Sequence, residues 1–199
     1  MTSSRNSEIC AVVLAGGKSS RLGQDKARVK INGRTMLENT LALAGSFCSR
    51  TFCVGRDTDA QGIKARWMLD EIPGIGPMGG IITALKKLGT PCLVLACDLP
   101  RLDRTIISLL IEHRNTREKD KCMTTFYQEK TGYIEALVSI YEPECLDLLL
   151  DARNRNCYKL SRAVPFHRRC NISYGPDQEH YFFNINYPRD LKDLADSSS

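Results

Sequence analysis

The sequence lacks any apolar run long enough to cross a membrane. A helix that spans a bilayer needs about 20 consecutive apolar residues. The longest apolar stretch near the N-terminus covers only residues 10–15. The first eight residues are polar and contain no apolar segment of signal-peptide length. We therefore expect a cytoplasmic protein that does not associate with a membrane.

The sequence also lacks the cysteine spacings of a disulfide framework or a zinc ribbon. Its nine cysteines are odd in number, none of them form a C-x-x-C motif, and most lie in apolar runs. This distribution is typical of buried, reduced thiols. The alternative is a zinc site built on His167 and Cys170, whose spacing suits a metal, although no second pair of ligands lies near them in the sequence.

A strong positive charge is absent as well. The net charge of +5 is small for a nucleic-acid-binding protein and suits an acidic small-molecule substrate. The basic residues that cluster near the C-terminus are Arg153, Arg155, Lys159, Arg162, Arg168 and Arg169. This cluster is either a solvated face or a rim that attracts phosphates. We see no aromatic interleaving of the kind that would favour single-stranded nucleic acid, and we therefore expect no nucleic acid partner.

Alternating apolar patterns predict an α/β fold. Short runs rich in β-branched residues predict strands, and apolar residues at helical spacing predict helices. The predicted strands cover residues 9–15, 51–54, 65–69, 92–97, 122–127, 133–141 and 181–185. The predicted helices cover residues 35–47, 79–88, 104–113, 143–150, 156–163 and 188–196. This order indicates one domain over residues 1–199, a mostly parallel sheet with helices on both faces, and flexible ends at residues 1–8 and 197–199.

The loops after three predicted strands carry the residues that suit phosphate chemistry. In such sheets ligands bind beyond the carboxyl ends of the strands, and these loops span residues 16–28, 70–79 and 98–102. Gly16 and Gly17 lack Cβ atoms, so the backbone N–H groups there can approach phosphate oxygens. Lys18, Arg21 and Lys26 supply cations that would neutralise a triphosphate. The alternative is an ordinary basic loop.

Two nucleotide-binding motifs compete with this interpretation. A Walker A motif is excluded, because the glycine required five positions before Gly17 is Val12. Residues 74–79, GIGPMG, match the dinucleotide fingerprint G-x-G-x-x-G, and Asp98 follows 19 residues later. However, a four-residue spacer separates these glycines from the predicted strand, and Pro77 lacks one backbone N–H. An NADH-dependent dehydrogenase therefore remains only as an alternative.

Acidic and amide side chains indicate a metal and an acceptor side. Asp98 follows a buried predicted strand, where one carboxylate can hold Mg²⁺ together with water and phosphate oxygens. Its alternative role is to cap the next helix, but Asp103 is better placed for that role. Asn184 and Asn186 alternate along a predicted strand and should point to the same side, toward a metal-bound water or a phosphate. The alternative is that they form a turn.

Together these segments resemble the molybdenum cofactor guanylyltransferase family. That family carries LAGG-x-S-x-R-M-G-x-D-K after its first strand, and residues 14–26 read LAGGKSSRLGQDK, with Leu22 in place of methionine. The resemblance covers essentially the whole chain and continues through Ile31-Asn32-Gly33, Asp70, Gly76-Pro77-Met78-Gly79-Gly80, Cys97-Asp98-Leu99-Pro100, Glu135-Ala136-Leu137 and Asn184-Ile185-Asn186-Tyr187-Pro188. Ala136 replaces the usual proline, and Tyr187 replaces the usual threonine.

The resemblance implies a fold and a reaction. The fold is Rossmann-like, of the nucleotide-diphospho-sugar transferase type. The reaction transfers GMP from GTP to the terminal phosphate of molybdopterin, usually with molybdenum inserted, and releases pyrophosphate. The implied cofactor is Mg²⁺, with Mn²⁺ as the alternative cation. The implied partners are GTP and molybdopterin, together with other molybdenum cofactor biosynthesis proteins and recipient molybdoenzymes.

By position, the resemblance also assigns roles to individual residues. Arg21, Lys26 and Asp98 would act in catalysis, with Asp98 as the Mg²⁺ ligand. The nucleotide would be bound by Leu14, Ala15, Gly16, Gly17, Lys26, Asp70, Gly76 and Gly79, with Asp70 near the guanosine. Asn184 and Asn186 would lie on the acceptor side or in the metal shell. Because the attacking phosphate oxygen is already charged, positioning and charge neutralisation suffice and no general base is needed.

Two further functions remain open besides the dehydrogenase. The first is cytidylyl transfer to the same pterin, or nucleotidyl transfer to another phosphorylated acceptor. Aspartate at position 25, directly before Lys26, favours the guanylyl branch by resemblance. The second is a non-catalytic protein that binds GTP or the cofactor and releases no pyrophosphate.

Overall fold

The computed structural model describes residues 8–16, 25–31, 33–187, 189–191 and 194. Gly17, Lys18 and Arg21 of the predicted phosphate loop lie outside these residues. So do the predicted chain ends, apart from residue 8. Among the described residues, no helix combines the length and the apolar character needed to cross a bilayer.

A seven-stranded sheet forms the centre of the described chain. The strands are β1 (Cys10–Leu14), β2 (Lys30–Ile31), β3 (Arg34–Thr35), β4 (Thr51–Val54), β5 (Arg66–Met68), β6 (Cys92–Ala96), β7 (Met123–Gln128), β8 (Tyr133–Tyr141) and β9 (Arg169–Ser173). The helices are α1 (Met36–Gly45), α2 (Pro77–Leu88), α3 (Arg104–Thr116), α4 (Cys145–Asn154) and α5 (Leu160–Ala163). The sheet order is β5-β4-β1-β6-β8-β7-β9, and β2 pairs separately with β3.

Most pairings in the large sheet are parallel. β1 pairs in parallel with β4 and β6, β4 with β5, and β7 with β9. Only β8 runs antiparallel to its neighbours β6 and β7. The predicted mostly parallel sheet is therefore confirmed. The carboxyl ends of β1, β4, β5 and β6 consequently meet at one edge, which is where such sheets bind ligands.

Helices cover both faces of this sheet. Val13 and Val12 are both fully buried, but Val13 packs with residues of α1 and α3 while Val12 packs with residues of α2 and α4. Successive side chains of a strand point to opposite faces of the sheet, so helices cover Val12 on one face and Val13 on the other. This double burial explains why β1 and β6 are continuously apolar rather than alternating.

Local capping signals define where two helices begin. Thr35 precedes α1 and forms a capping box, in which Thr35 Oγ1 accepts from the Glu38 backbone N at 3.2 Å and Glu38 Oε2 accepts from the Thr35 backbone N at 2.8 Å. Asp103 precedes α3 and accepts from the Ile106 backbone N at 3.1 Å. Asp103 is thus the helix cap, as the sequence predicts, and Asp98 is available for another role.

The cysteines form no disulfide, and seven of the nine are buried, whereas Cys157 and Cys170 are half-buried. In the part of the chain that the structure describes, no group of three or more His, Cys, Asp or Glu residues could hold a metal ion. The zinc alternative at His167 and Cys170 therefore lacks the ligands that it would need.

The C-terminal part differs from the sequence prediction. The strand expected at residues 181–185 is wrong, because residues 176–182 form a 3₁₀ helix and residues 183–186 belong to no helix or strand. Both edges of β6 are already paired with β1 and β8, so no ladder forms here, and the segment meets the end of β6 through a backbone bond from Ile185 N to the carbonyl oxygen of Asp98 at 3.0 Å. β9 lies in a stretch where no strand was expected. Of the expected closing helix, residues 189–191 and 194 are helical.

Candidate active site

A cavity of about 780 Å³ opens at the carboxyl ends of β1, β4 and β6. Its volume lies within the range of about 300–1,000 Å³ that is typical of small-molecule sites. The cavity brings together seven residues that the resemblance assigns to nucleotide, metal or catalysis: Leu14, Ala15, Gly16, Lys26, Asp70, Gly76 and Asp98. The three loops selected from the sequence therefore meet in one place.

Lys26 connects two of the segments that the sequence assigns to the site. Its Nζ lies 3.0 Å from Asp98 Oδ2 and donates to Asn186 Oδ1 at 2.6 Å. The side chains of Lys26 and Asp98 are about one-fifth exposed, at 19% and 21%. Three residues that are far apart in the sequence thus converge on one point at the cavity wall. Two oxygens surround a cation there, which is the arrangement expected of a cation-binding position.

A short turn after Ile185 fixes Asn186. Asp190 Oδ2 accepts from the backbone N of Asn186 at 2.7 Å and from that of Tyr187 at 2.8 Å. These two hydrogen bonds hold the pKa of Asp190 below its usual range. Asn186 is half-buried against Lys26, whereas Asn184 is exposed. Of the two predicted asparagines, the structure places Asn186 in contact with Lys26, one of the predicted catalytic residues.

The donor set at this point fits Mg²⁺. A single carboxylate, from Asp98, and one amide oxygen, from Asn186, meet at the cavity. Mg²⁺ in nucleotide sites is usually held by one or two carboxylates, with waters and substrate phosphates completing its shell. Cys97 also lines the cavity, but burial, followed by the charge of Asp98, raises the pKa of its thiol to about 12, so Cys97 is no nucleophile.

Asp70 is fixed between its own loop and α2. Asp70 Oδ1 accepts from the Ile72 backbone N at 2.8 Å and from Thr83 Oγ1 at 3.3 Å. A Cβ atom at Gly79 would lie 2.7 Å from Asp70 Oδ2 and 2.3 Å from the Ile72 carbonyl oxygen. Gly79 therefore allows Asp70 to pack against α2, and it lies behind Asp70 rather than among the residues that line the cavity.

We expect Gly79→Ala to displace Asp70 and to raise the KM for the nucleotide about tenfold, with a loss of stability of about 1–3 kcal/mol from overpacking. Steady-state kinetics and urea unfolding measure the two effects. Gly45→Ala is the matched control, because a Cβ atom there meets only Thr51 Oγ1, at an ordinary 3.8 Å. An unchanged KM in a folded Gly79→Ala protein would remove Asp70 from the nucleotide site.

The start of α2 forms the wall next to Asp70. Gly76 has φ 68° and ψ −153°, a backbone conformation that favours glycine, and it directly precedes the helix. Pro77 occupies the first helical position, where its missing N–H costs nothing. The positive end of the helix dipole of α2 therefore faces the cavity, where it favours a negatively charged ligand.

A bulge in β8 lies beside the cavity, which Leu137 of this strand lines. Thr125 pairs with Ser139 and Tyr127 with Ile134, so two steps along β7 correspond to five along β8. Bulges re-aim side chains and are frequent beside active sites. Here the extra residues include Glu135, which accepts from Tyr174 Oη at 2.7 Å. Burial raises the pKa of Glu135, and the Tyr174 hydrogen bond offsets part of this effect.

Sequence reasoning missed the loop after β4. Gly55 has φ 90°, and a Cβ atom there would lie 2.8 Å from Gly16 Cα, so the loops after β1 and β4 touch backbone to backbone. Arg56 follows and lines the cavity. The signal was available, because residue 55 directly follows a strand that was predicted correctly.

Comparisons with known proteins agree with this geometry. The pattern of the MobA-like NTP transferase domain matches residues 11–169. The chain is 31% identical over 183 residues to a molybdenum cofactor biosynthesis bifunctional protein of Synechocystis sp., covering 90% of this chain and 51% of that protein. It is 30% identical over 190 residues to a probable molybdenum cofactor guanylyltransferase of Methanothermobacter thermautotrophicus, covering 90% and 95%. The chain thus spans about half of the first relative and nearly all of the second.

Among solved structures, molybdopterin-guanine dinucleotide biosynthesis protein A from Archaeoglobus fulgidus superposes with a TM-score of 0.76 and 25% identity, covering 95% of this chain and 99% of that one. The Rossmann-like sheet and the cavity at its carboxyl edge define a nucleotidyltransferase. The chain belongs to the MobA-like NTP transferase family. The predicted resemblance is confirmed, and the dehydrogenase alternative loses its support.

Proposed function

We propose that the protein transfers GMP from GTP to the terminal phosphate of molybdopterin, releases pyrophosphate and forms the guanine dinucleotide form of the cofactor. The convergence of Lys26, Asp98 and Asn186 at the cavity carries this proposal. The names of the relatives support the choice of GTP and molybdopterin. The cytoplasmic location, the absence of nucleic acid and membrane partners, and contacts with other molybdenum cofactor biosynthesis proteins or recipient molybdoenzymes remain predictions.

On the nucleotide side, the triphosphate would lie along Leu14, Ala15 and Gly16 with Lys26 beside it. Asp70 would contact the guanosine, since an ionised carboxylate accepts hydrogen bonds and guanine presents an N–H and an amino group side by side. Gly17 and Arg21 lie outside the described residues, and their roles in phosphate binding and catalysis remain predictions from the resemblance.

Charge neutralisation is the chemistry that this site would perform. Asp98 and Asn186 would hold Mg²⁺, which neutralises triphosphate charge when it is bound. Lys26 would supply a fixed positive charge next to the phosphates, where charge increases in the transition state. Because the acceptor phosphate is already an anion, the residues need to hold it in line rather than remove a proton.

On the acceptor side, Asn184, Asn186 and Glu135 would face the pterin phosphate and ring. The partial burial of the Tyr133 hydroxyl, followed by the charges of Glu135 and Asp98, raises its pKa, so this tyrosine is within electrostatic reach of both carboxylates. Tyr133 is 56% exposed and offers a flat surface to a planar ligand. These residues would form the acceptor wall of the cavity.

The test is pyrophosphate release with molybdopterin and Mg²⁺, measured in parallel with GTP, CTP, ATP and UTP and repeated with Mn²⁺. We expect GTP to be preferred by about 100-fold or more, because a site that hydrogen-bonds one base leaves buried groups unpaired with another. Release with CTP alone would overturn the base assignment. GTP binding without pyrophosphate release would favour the non-catalytic alternative.

A further inference from the structure

Arg56 contacts both ends of the loop that follows β1. Its Nε donates to the Ala15 carbonyl oxygen at 3.2 Å. Its Nη2 donates to Asp25 Oδ1 at 2.8 Å, and its Nη1 donates to Asp25 Oδ2. Ala15 is the first residue after β1, and Asp25 directly precedes Lys26. We name these contacts of one guanidinium with Ala15 and Asp25 the Arg56 bridge.

Asp25 links the Arg56 bridge to the turn that carries Lys26. Asp25 Oδ1 also accepts from the Ala27 backbone N at 3.1 Å and so caps the 3₁₀ turn Lys26–Arg28. The orientation of Asp25 therefore sets the start of the turn that carries Lys26. Burial raises the pKa of Asp25, but the hydrogen bond and the charge of Arg56 outweigh this effect and hold the pKa below its usual value.

The backbone contact between Gly16 and Gly55 allows Arg56 to reach both ends. Gly55 can adopt φ 90° and approach Gly16 because neither residue has a side chain. The Arg56 side chain is only 15% exposed and that of Asp25 is 32% exposed. A planar guanidinium can donate two parallel bonds to a carboxylate and a third elsewhere, which an ammonium group cannot do.

We propose that Arg56 is a positioning residue that joins the two ends of the nucleotide-binding loop, through Ala15 and Asp25, and thereby places Lys26 beside Asp98 for the triphosphate. This proposal rests on the proposed function of the cavity. The competing role is direct binding of phosphate by Arg56. The two roles differ in what Asp25 does: in the bridge it cooperates with Arg56, whereas in direct binding it competes with the phosphate.

The test is a double-mutant cycle on Mg²⁺–GTP binding, measured by calorimetry with the full chain. We expect Arg56→Ala and Asp25→Asn each to weaken binding about tenfold or more, and the double variant to be no weaker than the weaker single variant, because contacting residues couple. Arg56→Lys should restore only part of the affinity. Arg66→Ala is the matched control, since Arg66 is an exposed arginine on β5 that lies over Phe52.

Steady-state kinetics distinguish a positioning role from a general loss of structure, which would affect both substrates. Because the bridge acts through Lys26 on the nucleotide side, Arg56→Ala should lower kcat as well as raise the KM for GTP about tenfold or more, and it should leave the KM for molybdopterin unchanged. Tighter GTP binding by Asp25→Asn would overturn the bridge and make Arg56 a direct phosphate ligand. Additive losses in the double variant would overturn it as well.

Failure of the proposed function would give a different result. If the wild-type protein binds no GTP, the proposed function fails, and the bridge is then tested by amide hydrogen exchange of residues 14–16 and 25–28 in the free protein. We expect exchange there to be about tenfold faster in Arg56→Ala than in the wild type, because local opening loses the coupled contacts. Arg66→Ala should leave it unchanged. Unchanged exchange in Arg56→Ala would overturn the bridge.

Discussion

Asp98→Ala is expected to abolish Mg²⁺-dependent pyrophosphate release, with kcat/KM lowered about 1,000-fold or more, which corresponds to about 4 kcal/mol of transition-state stabilisation. The physical reason is that Asp98 supplies the carboxylate where Lys26 and Asn186 converge. Without the Asp98 carboxylate, the described oxygen donors for a metal at this point would include the Asn186 amide and no anionic group. The measurement is pyrophosphate release across a range of Mg²⁺ concentrations.

Two controls separate the metal role from a loss of folding. Asp103→Ala makes the same change five residues later and removes the α3 cap, so it should lower stability by about 1 kcal/mol and leave turnover intact. Asp98→Asn keeps the shape and removes the charge, and it should be nearly as inactive as Asp98→Ala. Full turnover by Asp98→Ala would contradict the metal assignment.

Lys26→Ala is expected to lower kcat about 100- to 1,000-fold and to raise the KM for GTP by a smaller factor. The Lys26 charge would act mainly where the triphosphate gains negative charge in the transition state, so its loss should affect kcat more than substrate binding. Steady-state kinetics with saturating molybdopterin separate the two constants. Lys30→Ala, at an exposed position on β2, is the matched control and should behave as wild type.

The stability of Lys26→Ala provides an independent check. The Lys26–Asp98 pair is about four-fifths buried, so removing Lys26 should lower stability by about 1–3 kcal/mol, between the values for exposed and fully buried pairs. The protein should therefore remain folded while kcat falls. An unchanged kcat would exclude Lys26 from catalysis. A large loss of stability together with a proportional loss of activity would assign Lys26 a structural role instead.

Local signals in the sequence were sufficient to predict many of the strands and helices. The apolar run of β1 and the cap at Asp103 involve neighbouring residues, so the sequence pattern alone identifies them. The rule that parallel strands bind ligands at their carboxyl ends then placed Asp70 and Asp98 at one edge. The structure brings both to the same cavity.

Contacts across the fold could not be predicted in this way. The bond between Lys26 and Asn186 spans 160 residues and depends on how the C-terminal segment crosses the end of β6. The sequence predicted a strand at residues 181–185, but the pairing of both edges of β6 leaves no place for one beside it. Leu137 lines the cavity from β8, the strand that bulges between residues 134 and 139, and Arg56 lines it from the loop where Gly55 touches Gly16.

The fate of the GTP phosphates tests guanylyl transfer most directly. The protein is incubated with molybdopterin, Mg²⁺ and GTP that carries radioactive phosphorus at the α position or, in a parallel reaction, at the γ position. We expect the α label in a pterin dinucleotide and the γ label in pyrophosphate, in equal amounts. An α label that remains in GTP, GDP or free GMP while the pterin stays unlabelled would contradict guanylyl transfer to molybdopterin.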